Sequence, residues 1–577
     1  MSCSRGLRHA ARRRSLMPDG TTGKKTSVAD MSRPIQSLAV VVILSILAFS
    51  TRALPLAISP YPFNNDGMTE ARIASDILEG GDLTPPIGSF YSDTHSVITP
   101  AYDTMLAYIA GLVGYSPYEV AQYVVASVAV LTIVGIYLVA LRITESRKGA
   151  IAAAMVLGLS GTFVFLTGSA WKSSLGVALL VLLMYAHMNR TDRRWLVLEI
   201  TLLATAAIVH HLVAILAYLA IAYSTGVSVA NAAADRRMTK FHRTDIVVIT
   251  SISIFAFAYY SLTSLDSLVS LVSGVGIFMM VGVALLVMVA AIAVARARTH
   301  SRHTFAAIPA TAVFAVFVWD YFAPIFPYSS GFPIYILVLG VLTAVLIAFG
   351  WYGLETALMS NSRYRVLPLI WLLPVVTLMM QALLEGPTLD SHQVIYRSFD
   401  FGYLAISIGV AATVGVIAKR PRIEFGAVAC VLVVVLLSFP YGYMTNALEG
   451  IRHDTQEYEA DALHWVYLHE GPNATIQSDE RVSYDGRALY DFLKRPYVPT
   501  YLLEGRFPSP HSLNLFLEEW TTVGVNDYPN GHPVIDEAVA QSALEMSIVL
   551  YVGGPSDNNL IVFRSSSIGQ ESLTGLA

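Results

Sequence analysis

Cysteine is nearly absent. Cys3 and Cys430 are the only two in 577 residues, one in a polar N-terminal tail and one inside a late apolar run, so the chain can build neither a disulfide frame nor a thiolate metal site. Charge is scarce too: 14% Asp, Glu, Lys and Arg stand against 55% hydrophobic residues, with a mean hydropathy of +0.57. That composition excludes an ordinary soluble protein and fits a polytopic membrane protein. A formal charge of −4 excludes a nucleic-acid binder. Glycine-rich phosphate cradles of GxGxxG or GxxxxGK[ST] form are missing from any strand-to-helix context, so no nucleotide is expected.

What is present is a series of apolar runs. A bilayer core of about 30 Å takes roughly 20 apolar residues per helical crossing. Such runs occur near residues 34 to 58, 117 to 141, 149 to 168, 170 to 188, 244 to 263, 268 to 295, 304 to 324, 333 to 352, 366 to 384, 398 to 418 and 424 to 442, and a shorter pair near 196 to 208 and 211 to 226 reads as a bent hairpin. The expectation is an all-α polytopic membrane protein of about thirteen spans. Residues 1 to 33 form a basic, disordered cytoplasmic leader, residues 34 to 449 the membrane domain with a large first outer loop at 59 to 100, and residues 450 to 577 a small extracytoplasmic α/β domain, with helices around 456 to 468, 487 to 494 and 511 to 520 and strands at SIVLYVGG and NLIVFRSS. The first run is too long and too late for a cleaved signal peptide, so it is expected to remain as the first span.

Basic residues orient this arrangement, because cytoplasmic loops accumulate Lys and Arg. The leader and the clusters at Arg142 to Lys148, Arg190 to Arg194, Arg236 to Arg243, Arg296 to Arg302, Arg363 to Arg365 and Lys419 to Arg422 all fall on one face of the thirteen-span layout. Before residue 450 only Arg52, Arg72, Lys172 and Arg397 fall on the other face or at the outer ends of spans. Ionisable groups held against the charge bias and against desolvation are candidates for function. Snorkelling to the interface is the plain alternative for Arg52 and Lys172.

The first outer loop contains YPFNNDGMTEARIASDILEGGD. Asn-Asn-Asp-Gly reads as a turn into a helix, with Asp66 as its cap, Glu70 in the first turn and Arg72 close by. An acidic residue followed six positions later by arginine, at the start of a large first outer loop in a thirteen-span chain, resembles the GT-C superfamily of membrane glycosyltransferases. That resemblance implies a sugar donor carried on polyprenyl or dolichyl phosphate, and a glycan or glycoprotein acceptor on the outer face. It implies Asp66 and Glu70 as the acid–base pair and Arg397, in EGPTLDSHQVIYRSFDF, as the contact to the lipid phosphate with Arg72 beside it. A guanidinium suits that task through its fork of donors. Lys172, Asp320 and the pair His210 and His211 at the tip of the short hairpin become candidates for lining the cavity.

Departures from the family count as well. No Trp-Trp pair exists, so the WWDYG-type motif of oligosaccharyltransferases is missing. The loop between the third and fourth spans reads GSAWKSSLG, with Lys172 and no carboxylate. A divalent metal is therefore not supported by the loop acids, since hard cations take several oxygen ligands. Transfer of one sugar is expected over en bloc oligosaccharide transfer. A transporter or lipid flippase is the competing class, disfavoured because no internal repeat is visible and, apart from Asp320, the spans read as nearly free of interior charge. No retention signal accompanies the compact outer tail, which favours an archaeal or bacterial cell membrane over the endoplasmic reticulum.

Overall fold

Continuous apolar sequence folds here as helix after helix in a computed structural model. The structure describes residues 28–80, 99–234, 240–262, 274–297, 307–323, 334–359, 364–386, 388–417, 421–444, 452, 454–472, 474–494, 498–504, 513–525, 533–555 and 558–565. The chain divides into two units, Met1–Ile43 and Leu44–Ala577. Helix α1 is Val28–Ala53, and α2 (Asn65–Gly80) and α3 (Ala101–Val113) follow. The remaining apolar runs give α4 (Pro117–Thr144), α5 (Arg147–Leu159), α6 (Gly161–Gly168), α7 (Lys172–Asn189), α8 (Arg193–Val209), α9 (His211–Ala234), α10 (Lys240–Leu262), α11 (Gly274–Ala297), α12 (Ala307–Phe322), α13 (Ile334–Met359), α14 (Leu367–Glu385), α15 (Leu389–Ile417) and α16 (Pro421–Ser438).

Among the described residues seven helices are long and apolar enough to cross a membrane, or eight if a bent pair counts as one span. The other apolar runs are helical too, several of them shorter, so these lengths do not fix a count of thirteen. Two expectations change. The run at 149 to 168 is not one straight span: α5 and α6 meet at a 67° bend at Ser160. The second member of the supposed short hairpin, α9, is a full-length helix of 24 residues.

The bend is possible because the carbonyls it exposes are satisfied. Arg52, wholly buried, donates from Nη2 to Leu157 O (2.9 Å) and from Nη1 to Gly158 O (2.5 Å), and from Nε to Thr167 Oγ1 (3.0 Å). These are carbonyls that a helix C-terminus leaves without an intrahelical donor. Arg52 therefore does not snorkel; it closes the break. Helix α15, which carries Arg397 in its N-terminal half, packs on α13, α14 and α5. Its approach to α13 is backbone to backbone: a Cβ on Gly353 would lie 1.7 Å from Gly409 O, so only glycine permits that crossing.

The expected C-terminal α/β domain is present. Helices α17 (Glu457–Glu470), α18 (Glu480–Tyr490), α19 (Val498–Leu503) and α20 (Glu537–Glu545) accompany strands β1 (Thr475–Gln477), β2 (Leu493–Lys494), β3 (Leu513–Leu517), β4 (Ser547–Gly553) and β5 (Leu560–Ser565). The sheet order is β2-β1-β3-β5-β4. The first three strands pair in parallel, while β5 runs antiparallel to both neighbours. Within residues 511 to 520, which read as a helix, Leu513–Leu517 instead form the central strand β3 and a short 3-10 helix, Glu518–Thr521, follows. All five residues of β3 are buried, and a strand covered on both faces shows a continuous apolar run rather than alternation. The helix expected at 487 to 494 starts earlier and stops at Asp491, which takes a left-handed conformation at φ 57°.

A buried ionic network sits at the base of this domain. Glu459 takes both Arg481 and Arg452, and the two guanidinium groups hold its carboxyl down at about 2 against the cost of burial. Asp485, beside them, has its pKa pushed up to about 7 by burial, an effect that Arg481 only partly offsets. A carboxyl raised above its unfolded value favours folding fully below the unfolded pKa, and that contribution is lost as pH rises through the folded pKa. Going from pH 6 to pH 8 should therefore cost about 1 kcal/mol of stability. Thermal unfolding of the full-length protein in detergent should show that difference, and Asp485→Asn should flatten it; an unchanged pH dependence in the variant would assign the effect elsewhere.

Candidate functional site

The site begins where the chain leaves α1 and turns into α2. Asn64, not Asp66, caps this helix: its side-chain oxygen accepts from the Asp66 N–H at 2.7 Å. Asp66 stands in the first helical turn, exposed, near enough to Tyr484 of α18 to interact electrostatically. One turn on, Glu70 lies on the same side of α2 and is buried. Phe63 anchors the turn, with its ring edge-on to Phe165 and its N–H donating to Gln122 Oε1 at 3.0 Å. The Gln122 amide in turn donates to Arg52 O (2.7 Å) and Gly168 O (2.6 Å), so one buried side chain ties α1, α4, the α2 turn and the end of α6 together.

The loop from α6 to α7 meets α2 directly. A Cβ on Gly67 would stand 2.8 Å from Pro62 Cβ and 3.1 Å from Ala170 O, so the first turn of α2 can reach the loop only because residue 67 is glycine. The loop itself is held by Trp171 Nε1 donating to Leu166 O (2.7 Å) and Ser174 Oγ donating to Ser169 O (2.7 Å). Its last residue, Lys172, is buried and points between two carboxylates, with Nζ 3.0 Å from Asp103 Oδ2 and 3.4 Å from Glu70 Oε2. It also donates to Thr99 Oγ1 at 3.3 Å. Burial, followed by the neighbouring Asp103 charge, holds the Glu70 carboxyl well above the usual range, while Lys172 pulls it the other way.

The histidines and Arg397 complete the same cluster. His210 is the residue between α8 and α9, buried and stacked on His211 with ring centroids 4.9 Å apart. Its Nδ1 accepts from the Leu212 N–H (3.2 Å) and its Nε2 meets Ser173 Oγ (3.2 Å); the first contact assigns the proton of the neutral ring to Nε2. Arg397 and Lys172 both act on His210 electrostatically. The Arg397 guanidinium lies over the Trp171 ring at 5.9 Å. Five of the eight residues expected at the site, Glu70, Lys172, His210, His211 and Arg397, thus meet around the α6–α7 loop, with Asp66 one turn outward.

Arg72 and Asp320 stand elsewhere. Arg72 donates to Asp76 Oδ1 and Asp491 Oδ2, both at 2.8 Å, and to Ala488 O at 3.3 Å, which ties α2 to the end of α18. Asp320 is buried on α12, a helix that packs on α13. Glu199 and Asp245 correct the expectation that Asp320 is nearly alone as an interior charge. Both are buried, Glu199 2.8 Å from His187 Nδ1 and Asp245 2.9 Å from Arg190 Nη2, so each carries a partner of opposite or hydrogen-bonding character. Asp103 was missed as a site residue, although a lone carboxylate in the apolar stretch AYDTMLAYIAGLV is the kind of group that marks one. Gly67, Gln122 and Trp171 carry no sequence signal of their own.

No protein-family model matches the sequence, and no curated protein matches it. Solved structures do. The oligosaccharyltransferase of Archaeoglobus fulgidus, determined in the apo form, superposes with a TM-score of 0.50 at 15% identity over 84% of this chain and 70% of that one. ArnT from Cupriavidus metallidurans, determined with undecaprenyl phosphate bound, gives 0.41 at 11% identity over 93% and 99%. The mycobacterial arabinofuranosyltransferase AftD gives 0.43 at 14% identity over 92% and 42%. The chain has a GT-C-like fold.

The residues of this cluster do not fit a divalent metal. The two buried carboxylates that face each other already have an ammonium group between them. Among the described residues no group of three or more His, Cys, Asp or Glu side chains is placed to hold a metal ion.

Gly67→Ala tests the close approach of α2 to the loop. The added methyl meets backbone and cannot be absorbed by a side-chain shift, so Glu70 should be displaced from Lys172. Stability should fall by about 1–3 kcal/mol. Any activity that depends on the cluster should drop at least about tenfold, as expected for misplacement on the ångström scale. A variant with unchanged thermal stability and activity would show that α2 does not position the site.

Proposed function

We propose that this protein is an integral membrane glycosyltransferase that moves a single sugar from a polyprenyl or dolichyl phosphate donor to a glycan or protein acceptor at the outer membrane face. The observation that carries the reading is the meeting of Arg397, over Trp171, with Lys172, His210 and the α2 carboxylates in a chain of GT-C-like fold. In this reading the acceptor hydroxyl attacks the anomeric carbon, its proton passes to Asp66, and the bond from that carbon to the phosphate oxygen breaks. The electron pair remains on the phosphate, where Arg397 stabilises it. Asp66 suits the role of base because it is exposed at the rim, whereas Glu70 is buried beside a cation and orients the acceptor from below. Arg72, engaged by Asp76 and Asp491, is assigned to holding the C-terminal domain against α2 instead of to the phosphate. The basic clusters support a reading with the N-terminus in the cytoplasm and the C-terminal domain outside, in an archaeal or bacterial cell membrane.

A membrane transporter is less well supported, because the charged cluster gathers at helix ends and in the first outer loop rather than along a conduit. Turnover by purified protein in detergent, with no sealed compartment, separates the two: an enzyme works there and a transporter has nothing to transport.

Asp66→Ala should lower transfer by about a hundredfold or more while costing no more than about 1 kcal/mol of stability, since Asn64 is the cap. Full activity would remove Asp66 as the base. Arg397→Lys keeps the charge and loses the fork; it should raise the KM for the polyprenyl phosphate sugar about tenfold. A donor KM equal to that of the native protein would leave Arg397 with no role at the phosphate.

A further inference from the structure

Glu70, Asp103 and Lys172 come from three separate elements, α2, α3 and the start of α7, and meet in a buried place. Glu70 Oε2 and both Asp103 carboxylate oxygens have no hydrogen-bond partner among the described residues. Their compensation is the ammonium of Lys172 at 3.4 and 3.0 Å. Two ionised carboxylates left buried and unpaired would cost several kcal/mol each; a raised Glu70 pKa relieves part of that cost, and a cation between the two relieves the rest. A lysine, which is a compact cation on a flexible stem, stands there.

We propose that Lys172 is a built-in cation: its ammonium occupies the position between Glu70 and Asp103 that a divalent ion would need, so the site works without metal and excludes it. Lys172 is thereby a positioning residue. It fixes Glu70 through charge, and it sits next to Trp171, over which Arg397 lies, so the acidic and the phosphate-facing halves of the site share one loop. A divalent ion takes six or more oxygen ligands at about 2.0–2.6 Å. The Nζ distances of 3.0 and 3.4 Å suit N–H to carboxylate contacts instead. Removing the ammonium should turn the pair into an acidic cavity that attracts a cation from solution.

The inference deepens the transferase reading, yet its test does not depend on turnover. Purified full-length protein in detergent is titrated with Mn2+, with free ion read by electron paramagnetic resonance and its position by quenching of Trp171 fluorescence, using Trp171→Phe as the reference. Native protein should leave the Mn2+ signal unattenuated. Lys172→Ala should take up one Mn2+ per chain with quenching assigned to Trp171, and adding Asp103→Asn should abolish that uptake. Lys172→Arg, which retains the charge, should bind none. Uptake of Mn2+ by the native protein at this position would overturn the proposal, as would a folded Lys172→Ala variant that binds no cation. If Lys172→Ala fails to fold, the native titration alone decides between the two outcomes. In the sugar-transfer assay, EDTA should leave native activity unchanged, and loss on chelation with recovery on adding Mn2+ would also overturn it. Absence of any sugar transfer, with Mn2+ still excluded, would count against the transferase and not against the built-in cation.

Discussion

Everything near the site depends on a guanidinium in an unusual place. A helix that breaks inside an apolar layer exposes carbonyls with no water to receive them, and each would cost several kcal/mol unpaired. Arg52 meets that demand at the α5–α6 bend with hydrogen bonds to Leu157, Gly158 and Thr167. Because the break is satisfied, α6 can end short and hand the chain to the Ser169–Lys172 loop, which reaches α2. Gln122 repeats the device one layer outward by taking Arg52 O and Gly168 O. Both residues place polar groups where apolar packing alone would have produced a straight span, and a straight span would have carried Lys172 away from Glu70.

Charge is buried twice in this chain, with different consequences. In the C-terminal domain Glu459 is shared by Arg452 and Arg481, Arg452 also meets Glu519 and Asp454, and the Glu459 carboxyl is held low; Asp485 at the margin carries the strain of burial. Around Lys172 a single ammonium faces two carboxyl groups. The first arrangement is a fixed structural knot. It reaches the membrane domain through Thr455, which donates to Asp485 at 2.9 Å and whose carbonyl accepts from Ser59 at 2.6 Å, just before the turn into α2. The second is anion-rich and under-satisfied, a state that holds latent affinity for protons and cations.

The apolar runs and the basic clusters made most of the helices legible, since hydropathy and charge placement are set residue by residue. The same bookkeeping isolated Arg52, Arg72, Lys172 and Arg397, and each proves to sit at a junction between elements. Their partners were not legible. The break at Ser160 lies within LGLSGTFVFL, where hydropathy is continuous, and only the distant Arg52 makes a bend affordable. Asp103 hides in an apolar helix whose pattern says nothing of Lys172, a residue distant in sequence. Strand β3 read as a helix because a run buried on both faces lacks the alternation that marks a strand.

Arg397 is held differently from Arg72. A guanidinium buried against a carboxylate is neutralised and has little left for a ligand, as Arg72 shows with Asp76 and Asp491. Over an aromatic ring the attraction is to the quadrupole of the π-system, which steadies the cation without cancelling its charge. Trp171 is itself fixed, by its indole N–H to Leu166 O and by edge-on contact with Phe165 at 5.6 Å. Arg397 is thus positioned with Lys172 and His210 nearby. An anion placed there would meet a preorganised positive field.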